Sequence, residues 1–222
     1  MDVETEAEKN SCVFKNSGIQ AQFYQKGKEA LLKLAKENNF VADTTEDAAY
    51  FTNKTLKQYA AVVFVNTTGD VLNEKQQTAF EKYIQSGKGF VGIHAATDTE
   101  YDWPWFCKLV GANFANHPKP QKATLLVANA KHPSTDLLPS VWERFDEWYN
   151  FKNRNKDVNV LLTIDEKSYE GGKEGEYHPM SWYHEFDGGR AFYTALGHTE
   201  ESYKEDLFLK HILGGLKYAM GK

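Results

Sequence analysis

Cysteine is scarce in this chain: there are 2 in 222 residues, Cys12 and Cys107. Two thiols without CxxC spacing exclude a disulfide framework, and both read as small core residues. Long apolar runs are also missing, and none approaches the ~18 residues that a membrane span needs. No basic run exists, and the formal net charge is −5. Nucleic acid and anionic membrane are therefore excluded as main partners. There is no GxGxxG after a first strand, no P-loop and no HExxH, so no local nucleotide or zinc motif is present. The opening MDVETEAEKN is acidic and polar, unlike a signal peptide. Residues 1–10 read as a tail and 11–222 as one domain. The expected location is cytoplasmic for a full-length chain and periplasmic if a leader has been trimmed.

Apolar residues are plentiful enough for a sizeable core, at 41% hydrophobic and 14% aromatic. The chain is organised around GFVGIHAATDTEYDWPW, residues 89–105. Phe90, Val91 and Ile93 between glycines read as a buried strand that runs straight into His94 and the small residues Ala95 and Ala96. In open α/β sheets, ligands bind at the carboxyl ends of strands. A sharp strand-to-helix turn surrounded by small residues holds one side chain up on rigid support. His94 is that side chain, and the centre of the expected site.

Around it, short strands are expected at 11–14, 40–42 and 60–65, with a helix over 23–38 that buries Gly27, Ala30, Leu31, Leu34 and Ala35. Asn66, Thr67 and Thr68 follow the 60–65 strand and should share the rim with His94. Asn73 with Gln76 has capping-box spacing and opens a helix that buries Ala79, Phe80, Tyr83 and Ile84. Alternating strands and helices are the signature of a parallel, doubly wound sheet. The second half differs: strands are expected at 125–127 and 158–164, and Asp187-Gly188-Gly189 joins 181–186 and 190–196 as a hairpin. A helix over 202–220 closes the chain with Leu207, Phe208, Ile212, Leu216 and Ala219 inward. No internal repeat or linker is visible.

Three long stretches carry a family resemblance: 60–106, HPSTDLLPSVWERFDEWYNF at 132–151, and GGRAFYTALGHTEES at 188–202. Together they resemble the ThuA-like (trehalose utilisation) family, and the likeness runs from about residue 12 to 220. That family is similar in fold to class I glutamine amidotransferases. The resemblance therefore implies an α/β, flavodoxin-like three-layer sandwich, with a mainly parallel sheet and a C-terminal antiparallel hairpin. Amidotransferases place a cysteine at the elbow and a His-x-Glu pair after a late strand. Here the elbow holds His94, while His198-Thr199-Glu200 keeps the spacing. Histidine does not readily form the thioester that glutamine hydrolysis requires, so glutaminase activity is rejected. The family's aromatic-Arg-His motif aligns with Ile19-Gln20-Ala21, where Arg and His are absent.

The expected catalytic residues are His94, His198, Glu200 and Glu147, with Glu200 orienting His198. Asn66, Thr67, Thr68, Asp98, Trp103, His117, Asp146 and Tyr149 are expected to bind substrate. His94, His117 and His198 form a candidate ligand set for zinc or another divalent ion. No other cofactor is implied. Glu147 and Glu200 are also a candidate glycosidase pair. His178, His184 and His211 read as structural or exposed. The resemblance implies a sugar or disaccharide derivative as ligand, and a hydrolase or isomerase working by His/Glu acid-base or metal-assisted chemistry. The alternative is a non-catalytic sugar-binding or subunit-assembly module, since fold does not fix function. Either reading admits a homo-oligomer.

Overall fold

The computed structural model describes residues 11–15 and 21–222, so the expected tail and positions 19 and 20 lie outside the described residues. The first half is β1 (Ser11–Lys15), α1 (Ala21–Glu37), β2 (Val41–Thr45), α2 (Asn53–Leu56), β3 (Ala61–Val65), α3 (Glu74–Gln85), β4 (Gly89–Ile93) and α4 (Pro104–Val110). The second half is β5 (Asn113–Asn116), β6 (Gln121–Val127), β7 (Val141–Asp146), β8 (Asn150–Lys152), β9 (Asn159–Asp165), β10 (Pro179–Phe186), β11 (Gly189–Thr194) and α5 (Asp206–Ala219).

Nine strands form one sheet in the order β2-β1-β3-β4-β11-β10-β9-β6-β7. From β2 to β11 the neighbours are parallel, in the 2-1-3-4-5 order of flavodoxin-like folds. From β11 to β7 they are antiparallel, so the antiparallel part extends three pairings past the β10–β11 hairpin. Every residue of β3 and β4 is buried, which is why both read as continuous apolar runs. Asp187 and Gly188, both at positive φ, make the tight turn of the hairpin.

Helices cover both faces of the parallel half. On one side the rings of Phe64 and Phe90 (5.5 Å apart) meet Phe80 of α3 and Phe106 of α4, 5.7 and 5.4 Å from Phe64. Such pairs add about 0.5–1.5 kcal/mol each beyond area burial. On the other side α5 lies across β4 and β11. Asn73 and Gln76 form the expected capping box at the start of α3, with bonds of 3.1 and 2.8 Å. Residues 142–151 span two elements: β7 joins the main sheet while β8 pairs with β5 in a separate two-stranded sheet. β5 was not anticipated, since Asn-Phe-Ala-Asn has no strand pattern. Cys107 is only half-buried, at the exposed side of α4, whereas Cys12 is a core residue.

Gly89 has a steric reason. A Cβ there would collide with the Ala219 carbonyl at the end of α5. Gly89→Ala should therefore destabilise the fold by roughly 1–3 kcal/mol, read as a lower urea midpoint with unchanged slope. Acid should act through His211, which is fully buried between Ser134 and Thr194. Burial, more than any other cause, pushes its pKa down to about 3. The unfolded chain titrates near ~6.5, so it binds the extra proton. This contribution is complete above pH ~6.5 and is lost as pH falls toward 3. Tm measured across that window should drop, and the drop should be smaller in His211→Gln.

Candidate functional site

The carboxyl ends of β3, β4 and β11 open on one cavity of about 500 Å³. His94 is the first residue after β4, at the head of a short 3-10 helix over His94–Asp98. Its φ is +50°, a strained value for a non-glycine residue. The turn is fixed by Tyr193, whose hydroxyl donates to the His94 carbonyl at 2.8 Å. Asn66, one residue past β3, also has φ +50° and donates its backbone N–H to Ile93 O at 3.1 Å. Two adjacent parallel strands thus end in matching bends that turn both side chains toward the cavity.

Three side chains converge at its floor. His94 Nε2 is 3.1 Å from His198 Nδ1 and 3.3 Å from Glu147 Oε2, and the last two atoms are 3.4 Å apart. His94 Nδ1–H donates to the Ala195 carbonyl at 2.7 Å, which leaves Nε2 with its lone pair directed into the triangle. A carboxylate oxygen and imidazole lone pairs at this separation repel one another unless a proton or a cation lies among them. Donors on a tetrahedral zinc with bonds of 2.0–2.1 Å stand about 3.3 Å apart. The triangle has that size, and a divalent ion above it would retain open positions toward the cavity. Burial works to raise the Glu147 pKa, but when a proton sits on His94 Nε2 the bond it donates, with the charges of His94, His198 and His117, outweighs burial. Glu147 is therefore held below the usual carboxylate range, as a ligand needs. Burial, helped by His94, pushes His198 down and favours its neutral form.

Most of the expected residues meet here: Asn66, Thr68, Asp98, His117 and Tyr149 line the cavity with the three central groups. His117 does not join the ligand triangle as expected. Its Nδ1 lies 3.1 Å from the other oxygen of Glu147, and its side chain is 40% exposed, so it links Glu147 to solvent. Phe114 was missed; its ring is 4.4 Å from Tyr149, which in turn lies 4.3 Å from His94. A single phenylalanine in an asparagine-rich strand gave no signal for this.

Four expectations are corrected. Glu200 does not line the cavity; the carboxylate beside His198 belongs to Glu147, and Glu200 uses its carbonyl to accept from Tyr203 N. This also removes the Glu147–Glu200 glycosidase pair. Thr67 is buried and bonded to Thr99 at 2.8 Å. Trp103 belongs to the helical layer, where it stacks on Trp105 and donates to Glu81 at 3.0 Å. Asp146 is fully buried and turned away from the cavity. The histidines set aside as structural or exposed, His178, His184 and His211, are all buried.

Asp146 builds the site from behind. It accepts from the backbone N–H of Glu147 and His198 (both 3.0 Å) and of Gly197 (2.9 Å). Arg144 pairs with it at 3.0 Å between the rings of Trp142 and Phe208. His178 performs a similar task for Tyr149: its Nε2 donates to the Tyr149 carbonyl, and its Nδ1 lies against Glu166, both at 2.8 Å. Asp146→Ala should cost roughly 3–5 kcal/mol, because Arg144 stays buried beside a missing partner. Thermal and urea unfolding would measure this, and a change within 1 kcal/mol would contradict the assigned role.

Among solved structures, a protein of Bacteroides uniformis described as ThuA-like is 25% identical, with TM-score 0.81 over 97% of this chain and 93% of that one. A ThuA-like protein of Parabacteroides merdae is 20% identical, with TM-score 0.78 over 96% and 90%. A β-galactosidase of Bacillus circulans shares the fold alone, at 14% identity and TM-score 0.63 over 98% of this chain and 32% of that one. No functionally curated protein matches the sequence. The pattern of the trehalose utilisation family, ThuA, matches residues 11–219, and the chain belongs to that family.

Proposed function

We propose that this protein is an enzyme acting on a sugar or disaccharide derivative, with a divalent ion held by His94, Glu147 and His198. The observation that carries this reading is the triangle of three donor atoms 3.1–3.4 Å apart on the floor of the cavity. A bound ion would supply Lewis acidity toward a substrate oxygen. The protein's own groups do the rest. Asn66, Thr68 and Asp98 provide amide, hydroxyl and carboxylate partners on the rim. Tyr149 and Phe114 supply the apolar wall that sugar faces favour. His117 stands between Glu147 and solvent, where it can carry a proton in or out. That assembly suits a hydrolase or an isomerase, because both need an oxygen polarised and a proton moved. The family's description, trehalose utilisation, supports the substrate class. Glutamine hydrolysis lacks its nucleophile, as no thiol among the described residues lines the cavity.

Elemental mass spectrometry of tag-free protein tests this reading. Wild type should hold about one divalent ion per chain, and His94→Ala and Glu147→Gln should each retain less than a tenth of it. Turnover of trehalose and keto-sugars should disappear in the same variants. No retained ion after dialysis against zinc and manganese would overturn the metal site. An ion and a bound sugar without turnover would favour the non-catalytic binding module.

A further inference from the structure

A groove of about 670 Å³ lies between residues 49–54 and α3. It shares no lining residue with the His94 cavity. Its floor is apolar, made by the buried residues Phe51 and Ala79. Lys75 and Lys82 stand two turns apart on one face of α3, a rise of about 10 Å, with Ala79 between them. Lys54 of α2 lines the other wall. All three lysines are exposed, and no carboxylate lines the groove.

The acidic groups nearest in sequence do not answer these charges. Asp47 accepts from the Ala49 N–H at 2.8 Å, and Glu81 accepts from Trp103 Nε1–H at 3.0 Å. Glu74 is not part of the lining. Among the described residues, none of the three ammonium groups makes an ion pair. Three like charges therefore surround one concavity without a counter-charge, in a chain whose formal net charge is −5. A cleft lined by one sign of charge concentrates ligands of the other. Lysine binds phosphate oxygens as a point charge on a flexible stem. The stems of Lys75 and Lys82 are long enough to converge over Ala79, with Lys54 opposite. One phosphate cannot serve all three ammonium groups equally, whereas two phosphates can. The Asn53 side chain, which makes no hydrogen bond among the described residues, is a further donor on the same wall. A neutral sugar finds fewer free partners, because Asn73 and Gln76 are occupied by the capping box.

We propose that this groove binds a small molecule carrying two phosphate groups, held by Lys54, Lys75 and Lys82. The site is independent of the reading of the His94 cavity. The test is an amide NMR titration of the full chain with inorganic pyrophosphate and with ADP. Shift changes should fall on residues 49–54 and 73–82. Lys75→Gln and Lys82→Gln should each weaken binding about fivefold, the effect of one exposed ion pair. The double variant should lose it. Both lysines are exposed, so the variants should keep the wild-type Tm. Lys122→Gln, an exposed lysine of β6 outside the groove, should bind as wild type does. So should His94→Ala, which separates this groove from any anion attracted to an ion in the first cavity. Tighter binding of ADP than of pyrophosphate would assign a phosphate ester, and the reverse would assign the free anion. Absence of binding by both probes, shifts confined to the surroundings of His94, or equal weakening by Lys122→Gln would overturn the site.

Discussion

One side of the site hangs on a buried carboxylate that does not line the cavity. Asp146 accepts from the N–H groups of Glu147, Gly197 and His198, and so joins two segments far apart in sequence. Two of the three converging donors are placed by this single group. Its charge is answered by Arg144, itself enclosed by aromatic rings. A buried ion pair of this kind contributes little net stability over an apolar substitute, because desolvation offsets most of the attraction. Its advantage is geometric. A carboxylate with fixed donors sets the distance between Glu147 and His198 more tightly than apolar packing does.

The third donor is placed by a different device. His94 sits where β4 breaks into a tight turn with positive φ, and its ring is aimed by the bond from Nδ1–H to the Ala195 carbonyl. Ala195 directly follows β11, the parallel neighbour of β4. The register of two central strands therefore sets the ring orientation. Backbone strain at His94 is stabilised by strands buried on both sides, which the chain edge would not provide. The site thus combines a rigid half, from the parallel sheet, with a half held by the Asp146 charge.

The first half of the fold was legible because strands buried on both faces show as apolar runs, as at 61–65 and 89–93. His94 was legible for the same reason, as the polar residue that ends such a run. The antiparallel half was harder. In β7 the alternation is inverted: Arg144 and Asp146 are buried, while Val141 and Phe145 are exposed. A period-two reading places the wrong residues inward there. The family resemblance, rather than the strand pattern, marks Asp146 as a substrate-binding group, whereas the structure makes it an internal support. The His-x-Glu spacing at His198 pointed to Glu200, yet the carboxylate beside His198 comes from Glu147, some fifty residues earlier in the chain. Sequence spacing reports proximity within one element. It carries no information on what a loop after a distant strand of the sheet brings to the same point.

These features bear on how the chemistry at this fold position differs from thiol catalysis. A thiol elbow needs one nucleophile raised above a strand, with a base beside it. Here the raised residue is a histidine whose outer nitrogen is tied to a carbonyl, so only one nitrogen faces inward. That nitrogen meets a second imidazole and a carboxylate held in its ionised form. Such a set makes a poor covalent catalyst, because no member is a strong unhindered nucleophile. It makes a good cradle for positive charge, since three acceptor atoms share one small volume. On the proposed metal reading, the histidine at this turn holds charge beside a substrate, where a thiol would form a bond with it. On the same reading His117, half-exposed on the far oxygen of Glu147, exchanges protons between that charge and water.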